Sequence, residues 1–137
     1  MPWGIVYYKA EDGSVPVGDF LDSIPDKVEN KLLAVLETVR DAPPPAFSGG
    51  GFWEAMRGEM KGYHEVRASG GRVHYRLFCL LENASAEELE RRGLERPHIA
   101  VICGMEKRSG EKFSRTEYRE VRDLGDDYLA NFPRRAA

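Results

Sequence analysis

Residues 63–81, Tyr-His-Glu-Val-Arg-Ala-Ser-Gly-Gly-Arg-Val-His-Tyr-Arg-Leu-Phe-Cys-Leu-Leu, constrain the fold more than any other stretch of the chain. Two runs rich in β-branched and aromatic residues flank Gly70-Gly71, and a glycine pair between such runs marks a tight antiparallel hairpin. A two-residue turn at the glycines predicts Arg67 opposite His74 and Glu65 opposite Arg76. The side-chain period of two then puts those four residues on one face. Val66, Val73, Tyr75, Leu77 and Cys79 point to the other. One face is core and the other is charged.

The remaining elements follow from local signals. Trp3-Gly4-Ile5-Val6-Tyr7-Tyr8, closed by Asp12-Gly13, reads as a first strand. Residues 15–21 read as a short helix with Pro16 in its first turn. Ser23 and Pro25 open a longer helix to about Arg40, with Val28, Leu32, Leu33, Val35, Leu36 and Val39 forming an apolar stripe. Pro43-Pro44-Pro45 stops it, and the stretch to Gly51 reads as a mobile loop within one domain. Residues 52–62 carry no clear period beyond one helical turn. Residues 82–96 are polar, with Ser85 and Glu88 spaced as a capping box, and behave as an insertion carrying a small exposed helix.

Residues 97–105 form a continuous apolar run, expected of a central strand buried on both faces and ending at Glu106. Ser114 with Glu117 opens a terminal helix through Tyr118, Val121, Leu124, Tyr128 and Leu129. The order β–α–α–β–β–β–α predicts one α+β domain spanning 1–137. Its sheet is mainly antiparallel and four-stranded, with N-terminal helices and a C-terminal helix.

With 137 residues there is room for one cored domain, and no apolar run reaches the roughly 18–20 residues of a membrane span. The N-terminus lacks the basic and apolar segments of a signal peptide, and Cys79 and Cys103 sit in apolar runs as reduced, buried thiols would. A cytoplasmic protein is expected. The net charge of -3 argues against a nucleic-acid binder when taken whole. Residues 1–50, however, hold 4 basic and 8 acidic residues, whereas residues 51–122 hold 14 and 12. Setting aside residues 82–96 leaves 11 basic against 7 acidic in that block. Positive charge gathers where the strands lie.

No phosphate-binding glycine loop, HExxH or CxxC is present, and His64, His74 and His98 lack metal-ligand spacing, so neither metal nor cofactor is expected. What remains is a cationic group: Arg67, Arg76 and Lys107-Arg108, with Lys61, His64 and His74 nearby. A solvated strand face with an ordinary Glu65–Arg76 cross-strand pair accounts for it. So does an RNA-phosphate site, in which arginine offers a planar fork to phosphate oxygens and the array stabilises charge developing on a phosphorane.

The ordered set Glu65-Val66-Arg67, Tyr75-Arg76-Leu77, Met105-Glu106-Lys107-Arg108 and a capped terminal helix with Asp127-Tyr128 resembles the RelE/ParE toxin superfamily, on its phage-derived HigB-like branch. Val66, Leu77 and Met105 stand where that branch typically has Leu, Ile and Phe, and Arg108 stands for a second Lys. The early residues 3–8 and 13–21 are similar too, so the resemblance covers nearly the whole chain outside 82–96.

The resemblance implies a RelE-like fold and a toxin of a type II toxin–antitoxin pair. Such a toxin is a metal-free mRNA interferase that inhibits translation by cutting mRNA on the ribosome, and its partners would be a cognate antitoxin and mRNA. Carried across, Arg67 and Arg76 would clamp the scissile phosphate, and Lys107 would stabilise transition-state charge or act as general acid. Lys61, His74 and Arg108 would assist in holding RNA. His74 is the better candidate for a base, because hairpin parity puts His64 on the core side. The alternatives are a ParE-like topoisomerase inhibitor without catalysis and a partner-binding domain that has lost activity.

Overall fold

The computed structural model describes residues 3–43 and 51–137. The elements, in chain order, are β1 (Gly4–Tyr7), α1 (Pro16–Asp22), α2 (Asp26–Asp41), β2 (Trp53–Ala55), a 3-10 turn (Gly58–Met60), β3 (Tyr63–Gly70), β4 (Val73–Glu82), α3 (Ala86–Arg91), β5 (His98–Arg108) and α4 (Arg115–Ala130). The class is mixed helix and sheet, as expected, but the sheet has five strands, in the order β1-β5-β4-β3-β2. The expected four-stranded sheet lacked β2, a three-residue edge strand too short to show a period of its own. β1 runs parallel to β5, and the other pairs are antiparallel. The loop expected after Pro43 falls on residues 44–50, outside the described residues.

The sheet has a core on each face. On one, α1 and α2 cover it: Val28, Leu32, Leu36 and Val39 of the α2 stripe are buried against Val66, Tyr75, Leu77, Cys79, Ile99 and Val101. Each fully buried aliphatic side chain contributes roughly 1.5–3 kcal/mol, so this stripe rather than helix propensity holds α2 in place. On the other face, α4 packs Val121 and Tyr128 onto Phe78, Ala100, Ile102 and Cys103. The helix runs through Leu129 as expected, and that side chain is 39% exposed. Both cysteines are free and buried, as expected. Ser114 and Glu117 form the reciprocal capping box, and the Ser85 side chain accepts from the Glu88 N–H.

The hairpin turn falls one residue later than expected, at Gly71-Arg72, so Gly70 pairs with Val73 and Arg67 with Arg76. The two glycines do different jobs. Gly71 has φ +62, which an L side chain adopts only with strain, and glycine at the first central position is the mark of a type II′ hairpin turn. Gly70 stays in the strand and lets α2 approach, since a Cβ there would stand 3.0 Å from Val28 Cγ2. Glu65 now faces Phe78 and His74 faces Ser69. The slip moves every partner by two positions, so parity survives. Glu65, Arg67, His74 and Arg76 still share a face.

β5 continues through Glu106, Lys107 and Arg108 rather than ending before them. Its register against β4 breaks once: Phe78 faces Cys103 and Cys79 faces Val101, leaving Ile102 as the extra residue of a bulge. The bulge reverses the alternation of everything after it. Ile99 and Val101 belong to the α1/α2 side. Beyond Ile102, Met105 and Lys107 lie opposite Arg76 and His74, on the α4 side.

Candidate functional site

Three neighbouring strands bring cations to the α4 side of the sheet, at its hairpin end. Arg67 of β3 stands directly opposite Arg76 of β4, and Lys107 of β5 stands opposite His74, one pleat along. Adjacent strands lie about 4.8 Å apart, so the row spans about 10 Å across the sheet. β2 stops short of this end, and its last hydrogen bond to β3 runs from the Arg67 N–H to the Phe52 carbonyl at 2.9 Å.

Charges within the row are partly matched. Glu65, 7% exposed, accepts from Arg67 Nε at 2.8 Å and from Nη2 at 2.6 Å. It lies 3.9 Å from Arg76 Nε, and Glu54 of β2 reaches Arg67 Nη2 at 3.3 Å. Burial acts to lower the Arg67 pKa, but the Glu65 hydrogen bond and the charges of Glu65 and Glu54 outweigh it and raise the value. Burial pulls the Arg76 pKa down, with Arg67 adding repulsion against the attraction of Glu65. Both guanidiniums stay protonated at any working pH. Arg76 also donates to the Tyr75 carbonyl at 3.0 Å, which fixes its fork.

Other groups frame the row. His74 Nδ1 and Ser69 Oγ share a hydrogen bond of 2.8 Å, and Lys107 Nζ lies 5.0 Å from the centre of the Phe113 ring. Tyr118, one turn inside the capped start of α4, packs edge-on against Phe78 and Phe113. Burial raises its pKa, and the Glu65 charge adds to that while Arg76 opposes it, so its hydroxyl stands in the field of the cluster. The sequence places Tyr118 in the terminal helix but gives it no part in the cationic group. The Ser114 capping box, which opens four residues before it, is the signal that could have placed it here.

Of the expected site residues, Arg67, Arg76, Lys107 and His74 come together, and Arg108 and Lys61 do not. Arg108 follows Lys107 and so points to the opposite face, paired with Val73. Lys61 precedes β3 by two residues. The first residue of β3, Tyr63, is already four positions from Arg67, about 13 Å along the strand. His64 lies on the α1/α2 side as parity required, its ring stacked on Trp53 at 4.8 Å, and burial lowers its pKa.

Asp127 and Tyr128 serve the far end of α4. Tyr128 donates to Glu82 at 2.9 Å, and Asp127 accepts from Tyr8 at 2.5 Å. The 82–96 segment also lies away from the row, since Glu82 is six positions along β4 from Arg76.

Among the described residues, no three His, Cys, Asp or Glu side chains gather as a metal site would require, and no helix is long and apolar enough to cross a membrane. Comparison of the chain with protein-family models, with curated proteins and with solved structures finds no match.

Proposed function

We propose that the chain is an RNA-cleaving toxin of a type II toxin–antitoxin pair, acting in the cytoplasm on mRNA, with the ribosome presenting the substrate. The observation that carries this reading is the row Arg67–Arg76–Lys107, three cations from three strands on one face of the sheet. Arg76 offers its fork to the non-bridging oxygens of a phosphate, with Arg67 beside it. The ribose 2′-OH attacks the adjacent phosphorus and gives its proton to His74. The bond to O5′ breaks, and Lys107 protonates that oxygen. The products are a 2′,3′-cyclic phosphate and a 5′-OH. Charge stabilisation of the phosphorane by the row is the main contribution.

A specific observation favours the alternative readings. Two glutamates already hold Arg67, as they would in a topoisomerase inhibitor or a partner-binding domain that needs no free guanidinium. Induced expression separates the readings. Cleavage predicts growth arrest, cut transcripts with cyclic-phosphate ends, and relief of both by Arg76→Ala or Lys107→Ala. Arrest that persists in a folded Arg67→Ala, Arg76→Ala double variant rules the ribonuclease out. Intact transcripts accompanied by DNA damage point to the topoisomerase.

A further inference from the structure

A cleft of about 690 Å³ opens beside the cationic row, where β2 ends and the edge of β3 is left without a strand neighbour among the described residues. Its size falls in the range of roughly 300–1,000 Å³ typical of small-molecule sites, far more than a phosphate needs. Ala34 and Val35 of α2 and Ala68 of β3 make an apolar floor, and Phe52 forms a wall. Phe52 is 57% exposed, an aromatic ring held at the mouth of a cleft by the backbone bond between its carbonyl and Arg67. The rim is mainly cationic, although Arg67 is paired with Glu54 and Glu65. Arg67, Arg76 and Lys31 line it along with His74, and no carboxylate does among the described residues.

This pairing of properties selects an occupant. The interior suits a flat, largely apolar body, and the rim suits an anion joined to it. Antiparallel alternation aims the Ser69 N–H and C=O at the open edge, where Lys31 Nζ reaches the carbonyl at 3.3 Å. Ser69 Oγ and His74 add polar partners. We infer that the cleft is a nucleobase subsite: an unstacked base of single-stranded RNA stacks on Phe52 while its adjoining phosphate sits at the rim against Arg76, beside the Glu65-bound Arg67. The inference rests on the RNA-cleaving reading and adds to it where the substrate strand leaves the row. It also gives a stacking contact, which tolerates any base, a place beside the phosphate contacts.

The test uses the full chain and a short labelled oligoribonucleotide, 2′-deoxy at the scissile position so that it cannot be cut. The base is removed at each position in turn, and affinity is followed by fluorescence anisotropy for the wild type, Phe52→Ala and Arg76→Ala. Base stacking is worth enough that one abasic position should weaken wild-type binding about ten-fold. Phe52→Ala should weaken binding of the intact RNA by a similar factor, and in that variant the abasic penalty should disappear. Arg76→Ala should weaken every oligonucleotide alike.

Base-independent RNA binding that needs Arg76 but not Phe52 overturns the subsite and leaves the cleavage reading standing. An abasic penalty undiminished in Phe52→Ala also overturns the subsite. Failure of the wild type to bind any of these RNAs removes the subsite. Persistent arrest in the double arginine variant is what removes the cleavage reading itself.

Discussion

Arg67 and Arg76 face each other across the β3–β4 ladder, and the Glu65 carboxylate lies between them, 2.6 Å from Arg67 Nη2 and 3.9 Å from Arg76 Nε. Two like charges at directly opposed positions repel, so the nearly buried glutamate is what allows the strands to pair there. The same glutamate offsets part of the charge that a phosphate would meet.

Glu65→Gln keeps the shape and removes the charge. The variant should lose about 2 kcal/mol of stability, the scale of a hydrogen bond to a charged group. A urea midpoint checks it. In the RNA-cleaving reading one more cation becomes available to phosphate. The slope of log affinity against log salt should then steepen by about 0.7 for single-stranded RNA.

Glu82 anchors the other end of the sheet. Its carboxylate accepts from Arg92 at 2.8 Å, from Arg134 Nε at 2.7 Å and from Tyr128 at 2.9 Å, and its side chain is 2% exposed. Burial would raise its pKa, but the hydrogen bonds from Arg134 and Tyr128 and the two arginine charges lower it overall. A depressed carboxylate contributes stability above its unfolded value, ordinarily 4.5, and loses it as pH falls through the folded value. Glu82→Gln should therefore cost about 3–5 kcal/mol at pH 7, because the buried Arg134 guanidinium loses its counter-charge, while the part-exposed Arg92 keeps Glu88. The gap from wild type should narrow as the pH is lowered below about 4.5. Urea midpoints at neutral and acid pH measure both.

Gly125 lies in the middle of α4, where alanine normally gains about 1 kcal/mol of helix propensity. Here a Cβ would overlap the Tyr63 hydroxyl and stand 2.9 Å from Tyr63 Cζ. Gly125→Ala should therefore destabilise, by about 1–3 kcal/mol net. Adding Tyr63→Phe should recover part of the loss by removing the overlapping oxygen. Thermal melts of the two variants decide it.

Much of this arrangement is legible along the chain because its causes are local. Ser114-x-x-Glu117 caps its helix wherever that helix packs, and the spacing of Val28, Leu32, Leu36 and Val39 defines a buried stripe whatever covers it. The period of two placed Glu65, Arg67, His74 and Arg76 on one face even though the turn slipped, since a slip that moves each partner by two positions preserves parity. β2 was not legible. Three residues cannot display a period, and Trp53–Ala55 is a strand because β3 offers it a ladder.

The cationic cluster divides along the same line. Residue types and alternation were enough to gather Arg67, Arg76 and His74 on one face. Which member of Lys107-Arg108 joins them was decided by the fold alone. Strict alternation from Ile99 and Val101 would turn Lys107 toward α1 and α2 and leave Arg108 beside the arginines. The bulge at Ile102 reverses this, seating Ile102 and Cys103 together in the core under α4 and carrying Lys107 to the Arg76 side. A bulge forms where packing on two faces of a sheet competes for one strand, and that competition exists only once both layers of helices are in place.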